Sequence, residues 1–595
     1  MTLAGSVRAA LESRGPDGPL LLDTNGSMMT TRAILGSIDS LTALLRSAGL
    51  DEHARIAVVV PNGMLAAVTA LGVMTAAAFA PINPRYGDDE LAGAVGDLAA
   101  DALITDGEVG RRSEHIAADA GLAIIRVQLD ASALRVIPTI IRHSSRCRPV
   151  AEHASEPDDR RFCLLLHTSG TTATPKLIGL TEANVLASAS AVATTLGLSA
   201  SDRVLNVMPL FHIHGLVGSL LASVVGHGSV VCTSGFDAFA FRRQLGEPGV
   251  TWTTAVPSMY RALVLRHRNA ISSSSVDPSP GPSPESEQTT RRPLRFVRSS
   301  SATMPEALWN EVEALLCCPL INAYGMTEAS HQMTSNPIIP GERRIGTVGR
   351  GAGAEVAIAV HNPTGAPVSG LGSGPHRSAP TQSASDVDET SVVTQAAGCV
   401  GEVVIRGPGV MGGYLAPEGA NEHAWIQRGD GRWFRTGDLG EFDSDGYLRL
   451  VGRIKEIINV AGEKVSPFEV EAVLMRHPAV ADAVAFAVPD GLRGERVCAA
   501  VTLQAAVPAE TAAVLTTDVA PGADLTLRTA VAPSTHEAVP SPTATELRRF
   551  AATHLAKFKT PEQVVIVDNI PLGPTGKVQR SRMANLLADH LSSSL

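Results

Sequence analysis

The stretch Leu164–Thr181 reads LLLHTSGTTATPKLIGLT. An apolar run comes first, a turn of small hydroxyl residues and glycine follows, and Lys176 precedes a second apolar run. The backbone N–H groups of such a turn can converge on an anion, and the lysine adds a positive charge. The pattern is typical of a nucleotide polyphosphate site, although a surface Ser/Thr turn has the same composition. It differs from the G-x-x-x-x-G-K-[ST] loop, because Pro175 precedes the lysine.

The opening stretch lies in a region where apolar β-rich runs alternate with Ala-rich helical runs, from about residue 56 to 220. The runs that we predict as strands are Ile56–Val60, Ala78–Ile82, Ala102–Thr105, Ala123–Val127 and Phe162–Leu166. Met64–Ala76 is predicted as a helix. This alternation indicates βαβ units. The expected fold class is α/β, with a large multi-subdomain N-terminal domain of layered βαβ sheets and a small mobile α+β C-terminal domain.

The character of the sequence changes after Val451. An amphipathic helix in EVEAVLMRHP, a strand in AVADAVAFAVPD, a helix in TELRRFAATHL and a strand in QVVIVDNIP predict the small second domain. We therefore expect an N-terminal domain over residues 1–452 and a C-terminal domain over 453–595. Three segments rich in small and polar residues are predicted to be disordered surface insertions, at 272–292, 363–398 and 504–542.

Length, charge and cysteine content exclude several classes of protein. A chain of 595 residues is too long for one core, so two or more domains are expected. The net charge of -10 argues against a nucleic-acid surface. The longest apolar stretch, residues 57–84, is broken early by Pro-Asn-Gly, so no membrane span is expected. The seven cysteines lack metal-site spacing and fit reduced thiols in an intracellular enzyme.

The chain ends in Ser593-Ser594-Leu595. This tripeptide is either a frayed Ser-rich tail or a weakened form of the S-K-L address that a peroxisomal import receptor reads. A peroxisome-type organelle and the cytoplasm are therefore both open as locations.

Six further segments contain motifs that are typical of one family, in the order typical of that family. They are PLFHIHG (Pro209–Gly215), NAYGMTEAS (Asn322–Ser330), GEVVIRGPGVMGGYL (Gly401–Leu415), WFRTGDLG (Trp433–Gly440), GRIKEIINVAGEKVSP (Gly452–Pro467) and PLGPTGKVQR (Pro571–Arg580). With the opening stretch, they resemble the acyl-adenylate-forming family of acyl-CoA synthetases, adenylation domains and luciferases. The resemblance implies an ATP-dependent acid–thiol ligase that uses ATP, Mg²⁺ and coenzyme A. A carboxylate would first become an acyl-adenylate and then a thioester.

The resemblance also implies a nucleotide site. The residues expected to bind the cofactors are Thr168, Ser169, Gly170, Thr171, Thr172, Lys176, Asn322, Ala323, Tyr324, Gly325, Asp438, Arg453, Lys455 and Gly462. Tyr324 would stack on adenine, Asp438 would accept the ribose hydroxyls, and Arg453 would contact ribose or phosphate. Lys455 would be the hinge, and Gly462 would make room for the pantetheine arm of coenzyme A. The alternative for the charged residues is a turn cap or a solvated surface charge.

Catalysis is expected from Lys577, Thr327, Glu328 and His212, again by resemblance. Lys577 would enter the active site on a mobile loop for adenylation and be withdrawn for thioester formation. Glu328 and Thr168 would be the Mg²⁺ ligands. Ala173 departs from the family pattern, in which glycine is common, and it is harmless only if the local φ is negative.

The segments expected to build the acyl pocket are polar. Residues 330–336 read SHQMTSN, and three serines follow Arg298. His212 and His214 would point the same way if they lie on a strand. A pocket with His and Ser donors suits a second carboxylate on a short acid. The pattern is most similar to oxalyl-CoA synthetases of the peroxisomal branch, which implies that Ser301 and His331 contact the distal carboxylate of oxalate, with His212 and His214 nearby.

Other interpretations stay open from the sequence. One is a fatty-acid or 4-coumarate-type CoA ligase on the same scaffold, and another is an amino-acid adenylation domain in which Asp237 binds the amine. A third is a non-catalytic nucleotide-binding protein. His331 can be a structural histidine, and the His212–His214 pair lacks the further ligands that zinc requires.

Overall fold

The computed structural model describes residues 6–107, 111–130, 135–144, 161–168, 175–273, 294–339, 341–360, 392–429, 431–504, 541–571 and 578–592. The chain divides into two compact units. The first consists of Met1–Arg266 and Pro282–Lys455, and the second of His267–Gly281 and Glu456–Leu595.

The first unit contains an eight-stranded sheet that holds the opening stretch. In spatial order its strands are Tyr414–Ala416, Lys176–Leu180, Leu164–Thr168, Ala78–Pro81, Arg55–Val59, Ala102–Thr105, Ala123–Asp130 and Arg135–Arg142. The central strands run parallel and the outer ones are antiparallel. The strand predicted at Phe162–Leu166 begins and ends two residues later than expected.

A nine-stranded sheet forms the second layer of the first unit. Its order is Arg350–Gly351, His331–Ser335, Leu320–Met326, Phe296–Ser299, Trp252–Ala255, Arg203–Asn206, Ser229–Cys232, Pro19–Asp23 and Met28–Thr30. The strands from Leu320–Met326 through Pro19–Asp23 are parallel. Their carboxyl ends therefore open on one edge, where ligands of α/β sheets usually bind.

An antiparallel sheet completes the first unit. Its strands are Val392–Thr394, Glu355–Val360, Gly401–Arg406, Gly431–Phe442 and Trp425–Arg428, with Leu448–Arg453 paired to Gly431–Phe442. Val392–Thr394 is a strand inside the segment 363–398, so the prediction of a disordered insertion is wrong for these three residues. Its two valines and threonine are good strand formers, and they pair with Glu355–Val360.

The helices of the first unit cover these sheets. They are Val7–Glu12, Thr31–Ser47, Met64–Ala76, Asp88–Asp97, Arg111–Asp119, Glu182–Thr195, Ile213–Gly215, Ala222–Val225, Phe241–Leu245, Glu306–Leu316 and Pro257–Ser273, the last of which extends past Arg266. Met64–Ala76 has the predicted bounds and is buried on nearly all sides, which explains why it is apolar all round. No helix among the described residues is both long and apolar enough for a membrane crossing.

The second unit is a small α+β fold. Its strands are Glu463–Val465, Ile458–Val460, Gly494–Leu503, Val480–Asp490 and Gln563–Ile566. Its helices are Pro467–Leu474, Ala544–His554, Met583–Leu586 and Ala588–Ser592. Each predicted element after Val451 is thus found, and the fold class of the whole chain is confirmed.

Candidate active site

Asp438 and Arg453 meet across two antiparallel strands. Gly431–Phe442 pairs with Leu448–Arg453 so that these two residues are directly opposite. Arg453 Nε lies 2.6 Å from Asp438 Oδ1, and the hydroxyl of Tyr324 donates to the other carboxylate oxygen. Each oxygen retains a second lone pair, so the buried Asp438 can still accept hydrogen bonds from a ligand. Three residues predicted at the nucleotide site are therefore brought together.

Glu328 is a buried carboxylate on the 3-10 turn Thr327–Ala329. The Tyr414 hydroxyl donates to its Oε1 at 3.0 Å. Burial raises the pKa of Glu328, while the Tyr414 hydrogen bond and the charges of Arg453 and Lys176 act in the opposite direction. The two cations favour the ionised carboxylate, which is the form that binds a hard cation.

Lys176 begins the strand that follows the opening turn. Its ammonium lies 3.9 Å from the ring centroid of Tyr414, a cation–π contact. Burial lowers the pKa of Lys176, and the nearby Lys455 lowers it further. Thr168 is the register partner of Lys176 at the end of the preceding strand. The two described ends of the predicted phosphate loop therefore adjoin, whereas residues 169–174 lie outside the described part.

Tyr414 is a functional candidate that the sequence reasoning missed. It lies in the quoted GEVVIRGPGVMGGYL motif, and its strand pairs with Lys176–Leu180. Its ring contacts Lys176 while its hydroxyl binds Glu328, so it joins the lysine to the carboxylate. The signal available was an aromatic residue in a motif already assigned to the site.

The backbone around the turn that joins the strands Leu320–Met326 and His331–Ser335 is tightly constrained. A Cβ on Gly325 would lie 1.7 Å from the carbonyl oxygen of His331, so only glycine allows this approach. Ser330 and His331 have φ values of 53° and 114°. Such values are unfavourable for non-glycine residues and are concentrated at functional sites. The turn that holds Thr327 and Glu328 is therefore fixed by the strand pairing on both sides.

Asn322 and Ala323 occupy the same strand, Leu320–Met326. Asn322 Nδ2 donates to the carbonyl oxygen of Thr347 at 2.9 Å, and Ala323 pairs with Ser335. These contacts account for their positions structurally, and ligand binding by them stays a prediction.

Three of the predicted substrate residues, the buried His214 and His331 and the half-buried Ser301, lie together with the buried Thr254 and Arg298. We call these five residues the histidine cluster. His214 Nδ1 lies 3.1 Å from Ser301 Oγ, and its Nε2 lies 2.6 Å from Thr254 Oγ1. The rings of His214 and His331 stack at 4.9 Å. Ser301 has a φ of 74°, so it too has a left-handed backbone.

The premise that His212 and His214 lie on a strand is wrong. Ile213–Gly215 is a helical turn that continues into the π-helix Leu216–Leu221, and His212 precedes it with its ring against Phe211. A short apolar run fits a buried helix as well as a strand, so periodicity could not separate them. Among the described residues, no group of three metal-binding side chains was found.

The polar run after Ser330 is buried, but much of it is structural. Thr334 donates to the carbonyl of Val348, and Ser335 donates to the carbonyl of Asn336. Gln332 Oε1 accepts from Arg298. The expectation that the whole run lines a pocket is therefore too broad, and His331 is its member in the histidine cluster.

Asp237 does not resemble an amine-binding carboxylate. It is exposed, and its Oδ1 accepts the backbone N–H of Phe239 at 2.8 Å. This is the geometry of a turn cap.

Gly462 lies in the turn between Ile458–Val460 and Glu463–Val465 in the second unit. Ala461 and Gly462 have φ values of 53° and 92°, as a two-residue hairpin turn of type I′ requires. The turn alone explains this glycine. Lys455 ends the first unit, within the 3-10 turn Ile454–Glu456, and Lys577 lies outside the described residues.

The fold and these sites define an adenylate-forming enzyme. The family model described as AMP-binding enzyme matches residues 8–415, and that of the AMP-binding enzyme C-terminal domain matches residues 469–540. The first match covers more than half of the chain, so the chain belongs to the AMP-binding enzyme family. Its class is that of ATP-dependent acid–CoA ligases.

Two related ligases and one solved structure match nearly the whole length of this chain. An oxalate–CoA ligase from Arabidopsis thaliana is 32% identical over 570 residues, which cover 95% of this chain and 94% of that protein. A sulfoacetate–CoA ligase from Cupriavidus necator is 32% identical over 584 residues, which cover 98% and 96%. The solved structure of ATP-bound MatB from Rhodopseudomonas palustris has a TM-score of 0.73 at 21% identity, with 98% and 99% coverage, and shows the same fold.

Proposed function

We propose that this acid–CoA ligase activates a short acid that carries a second anionic group, with oxalate as the first candidate. The observation that carries this proposal is the segment Thr327–His331, which joins Glu328 to the histidine cluster. His331 is three positions after Glu328, so their Cα atoms lie at most roughly 11 Å apart. This proximity supports a site in which a short acid contacts the histidine cluster while its reacting carboxylate lies on the nucleotide side.

The relatives support the same class of acid. The names of two proteins with 32% identity specify oxalate and sulfoacetate. Both acids carry an anionic group besides the carboxylate that is activated. Sulfoacetate is therefore the second candidate, and a fatty acid is disfavoured because the histidine cluster would bury its chain among polar groups.

The proposed reaction has two steps. First a carboxylate oxygen attacks the α-phosphorus of ATP, the bond to pyrophosphate breaks, and an acyl-adenylate forms. Next the sulfur of coenzyme A attacks the acyl carbon, the bond to AMP breaks, and the thiol proton leaves to solvent. Both steps depend mainly on positioning and on stabilising negative charge.

Different described residues would contact the phosphates, the ribose and the adenine of the nucleotide. Lys176 and Arg453 would stabilise phosphate charge, while Asp438 would accept the ribose hydroxyls on the lone pairs that Arg453 and Tyr324 leave open. Thr327, on the same turn as Glu328, would donate its hydroxyl to phosphate. Tyr324 would present its ring to adenine.

The residues present fit Mg²⁺. Glu328 is a buried carboxylate that accepts a hydrogen bond from the Tyr414 hydroxyl, and two cations near it favour its ionised form. Mg²⁺ usually keeps several waters and takes one or two carboxylates plus substrate phosphates, so Glu328 with the Thr168 hydroxyl is a sufficient donor set. When bound, the ion would neutralise charge on the phosphates.

The second unit would complete the cycle. By family resemblance, Lys577 acts in adenylation, Lys455 is the pivot, and the turn containing Gly462 faces coenzyme A during thioester formation. Import into a peroxisome through Ser593-Ser594-Leu595 stays a hypothesis about location.

The test compares acids under identical conditions. Purified protein receives ATP, Mg²⁺, coenzyme A and one of oxalate, sulfoacetate, 4-coumarate or octanoate, and both thioester and AMP are quantified. We expect kcat/KM for oxalate to exceed that for octanoate and 4-coumarate by at least about tenfold, since donors that lack their partner group reject an analogue. Turnover of octanoate without oxalate or sulfoacetate would contradict the proposal. Nucleotide binding without pyrophosphate release with any acid would favour the non-catalytic interpretation.

Two serine variants test where the acid binds. Ser301→Ala should raise KM for oxalate by roughly tenfold, because one hydrogen bond to a charged group is lost. Ser335→Ala removes a hydroxyl that binds only a described backbone carbonyl, that of Asn336, and should leave the preference among acids unchanged. Equal effects of both variants would place the acid elsewhere.

A further inference from the structure

Arg298 is a fully buried arginine on the strand Phe296–Ser299. Burial lowers the pKa of its guanidinium to about 10. In the part of the chain that the structure describes, no carboxylate forms an ion pair with it, and its Nε has no hydrogen-bond partner. A buried charge normally has a counter-charge, since desolvation is otherwise uncompensated.

Two other buried arginines of this chain do have such partners. Arg435 pairs with Glu402 at 2.8 Å, with 9% and 3% of the two side chains exposed. Arg580, whose side chain is 10% exposed, pairs with both Glu456 and Glu471. Arg298 is buried more deeply than either arginine but lacks a described carboxylate. The missing counter-charge therefore distinguishes Arg298 from these two arginines.

The surroundings fix the guanidinium beside the proposed substrate residues. Nη1 lies 3.0 Å from His331 Nε2 and 3.4 Å from His214 Nε2, and Nη2 donates to Gln332 Oε1 at 3.1 Å. The backbone is held as well, because the Tyr260 hydroxyl donates to the Arg298 carbonyl at 2.8 Å. The charge therefore has a single position against both imidazoles.

This contact determines where His331 carries its proton. A guanidinium is only a donor, so Arg298 must donate to a lone pair on His331 Nε2. His331 is then neutral, with its hydrogen on Nδ1, and a nearby fixed cation disfavours a second proton. A Cβ on Gly218 would lie 2.4 Å from His331 Nε2, so a glycine of the π-helix makes room for this ring.

The two serines that follow Arg298 have buried hydroxyls. Ser299 Oγ and Ser300 Oγ are both buried and have no hydrogen-bond partner among the described residues. Buried polar atoms are nearly always satisfied by protein, water or ligand. The guanidinium and two imidazoles thus lie together in the histidine cluster, and two unsatisfied hydroxyls follow Arg298 directly along the chain.

We propose that Arg298 is the residue that makes this site select acids whose second group is anionic, acting through its uncompensated charge and its hold on His331. This inference rests on the proposed function and adds its specificity determinant. The distal anion supplies the counter-charge that the described chain lacks. The contact of Arg298 with His331 Nε2 also fixes the position of that imidazole in the cluster. An acid with an uncharged tail would leave the guanidinium without a counter-charge.

The experiment measures discrimination between oxalate and acetate, a monoanion of similar size. Arg298→Met should lower kcat/KM for oxalate relative to acetate by roughly 10- to 100-fold, mainly through KM, because a hydrogen-bonded charge is lost. Arg298→Lys keeps the positive charge but loses the planar set of guanidinium donors. Its oxalate-to-acetate ratio of kcat/KM should therefore lie between those of the wild type and Arg298→Met. Thioester formation from acetate shows that each variant is folded.

Arg295→Met is the matched control in the same segment. The Arg295 guanidinium already pairs with Asp202, so its removal should lower thermal stability and leave the oxalate-to-acetate ratio unchanged. An unchanged ratio in Arg298→Met would overturn the role of Arg298 while leaving the proposed function intact. Wild-type protein that uses acetate but neither oxalate nor sulfoacetate would overturn both.

Discussion

Glu328 shows how one residue couples the protein interior to the proposed chemistry. Its carboxylate is buried, and burial raises its pKa, so the folded protein favours the protonated form more than the unfolded chain does. That contribution to stability is present at low pH and is lost as the pH rises through the folded pKa. However, Glu328 must be ionised to bind the proposed Mg²⁺ ion. Tyr414, Lys176 and Arg453 shift Glu328 toward the ionised form.

Tyr414→Phe tests this coupling. The ring that contacts Lys176 remains, but the hydroxyl that donates to Glu328 is lost, so the pKa of Glu328 should rise further. We expect a destabilisation of about 1 kcal/mol and a shift of the acidic limb of the adenylation rate toward higher pH. The measurement is ATP–pyrophosphate exchange as a function of pH.

Tyr447→Phe is the control for that variant. The Tyr447 hydroxyl donates to the carbonyl of Glu342 at 2.5 Å, so its loss removes one hydrogen bond without a described contact to Glu328. It should lower stability without moving the acidic limb. A limb that stays in place in Tyr414→Phe as well would show that Glu328 does not control the rate.

At the scale of elements, one strand pair positions both halves of the site. Leu320–Met326 leads into the Glu328 turn, and His331–Ser335 returns antiparallel to it, with an irregularity at Tyr324 and Gly325. Residues of the proposed nucleotide site lie at the end of the first strand, and His331 of the histidine cluster begins the second. A change in their register would therefore disturb both.

Gly325→Ala tests that dependence. The new Cβ would lie 1.7 Å from the His331 carbonyl oxygen, so the two backbones must separate. We expect a destabilisation of about 3 kcal/mol or more, seen as a lower apparent Tm, together with loss of adenylation. Gly429→Ala is the control, because a Cβ there meets no atom within 4 Å. Similar Tm values for the two variants would contradict the strand argument.

The sequence predicted those elements well where the pattern was long or repeated. Ala102–Thr105 and Met64–Ala76 have their expected bounds, and the motif residues Tyr324, Asp438 and Arg453 are brought together. Periodicity failed at His212, because a short apolar run does not distinguish a strand from a buried helix.

Arg298 escaped prediction for another reason. An arginine in a strand usually extends its charge to solvent, and local sequence does not reveal that this one is buried without a described counter-charge. Tyr414 was missed because its value lies in contacts to Lys176 and Glu328, which are distant in sequence. Pairwise contacts between separate motifs are tertiary information, and one sequence does not contain them explicitly.

At the scale of the whole molecule, the motifs are shared between two compact units. The residues that surround Glu328 and Asp438 belong to the first unit, whereas Gly462 and Lys577 belong to the second. A two-step reaction can use this division, because a residue needed in only one step can be carried by a separate unit. Variants in the second unit are therefore expected to affect the two half-reactions unequally.

Lys577→Ala tests that division. By family resemblance, Lys577 would stabilise negative charge during adenylation only, so the variant should lose about 100-fold or more in ATP–pyrophosphate exchange. Thioester formation from supplied acyl-adenylate and coenzyme A should stay close to that of the wild type, since the lysine has no part in that step. Lys557→Ala, an exposed lysine of the same unit, is the control and should preserve both activities. Equal losses in the two half-reactions of Lys577→Ala would indicate that the residue supports the fold or both steps, and the assignment would then fail.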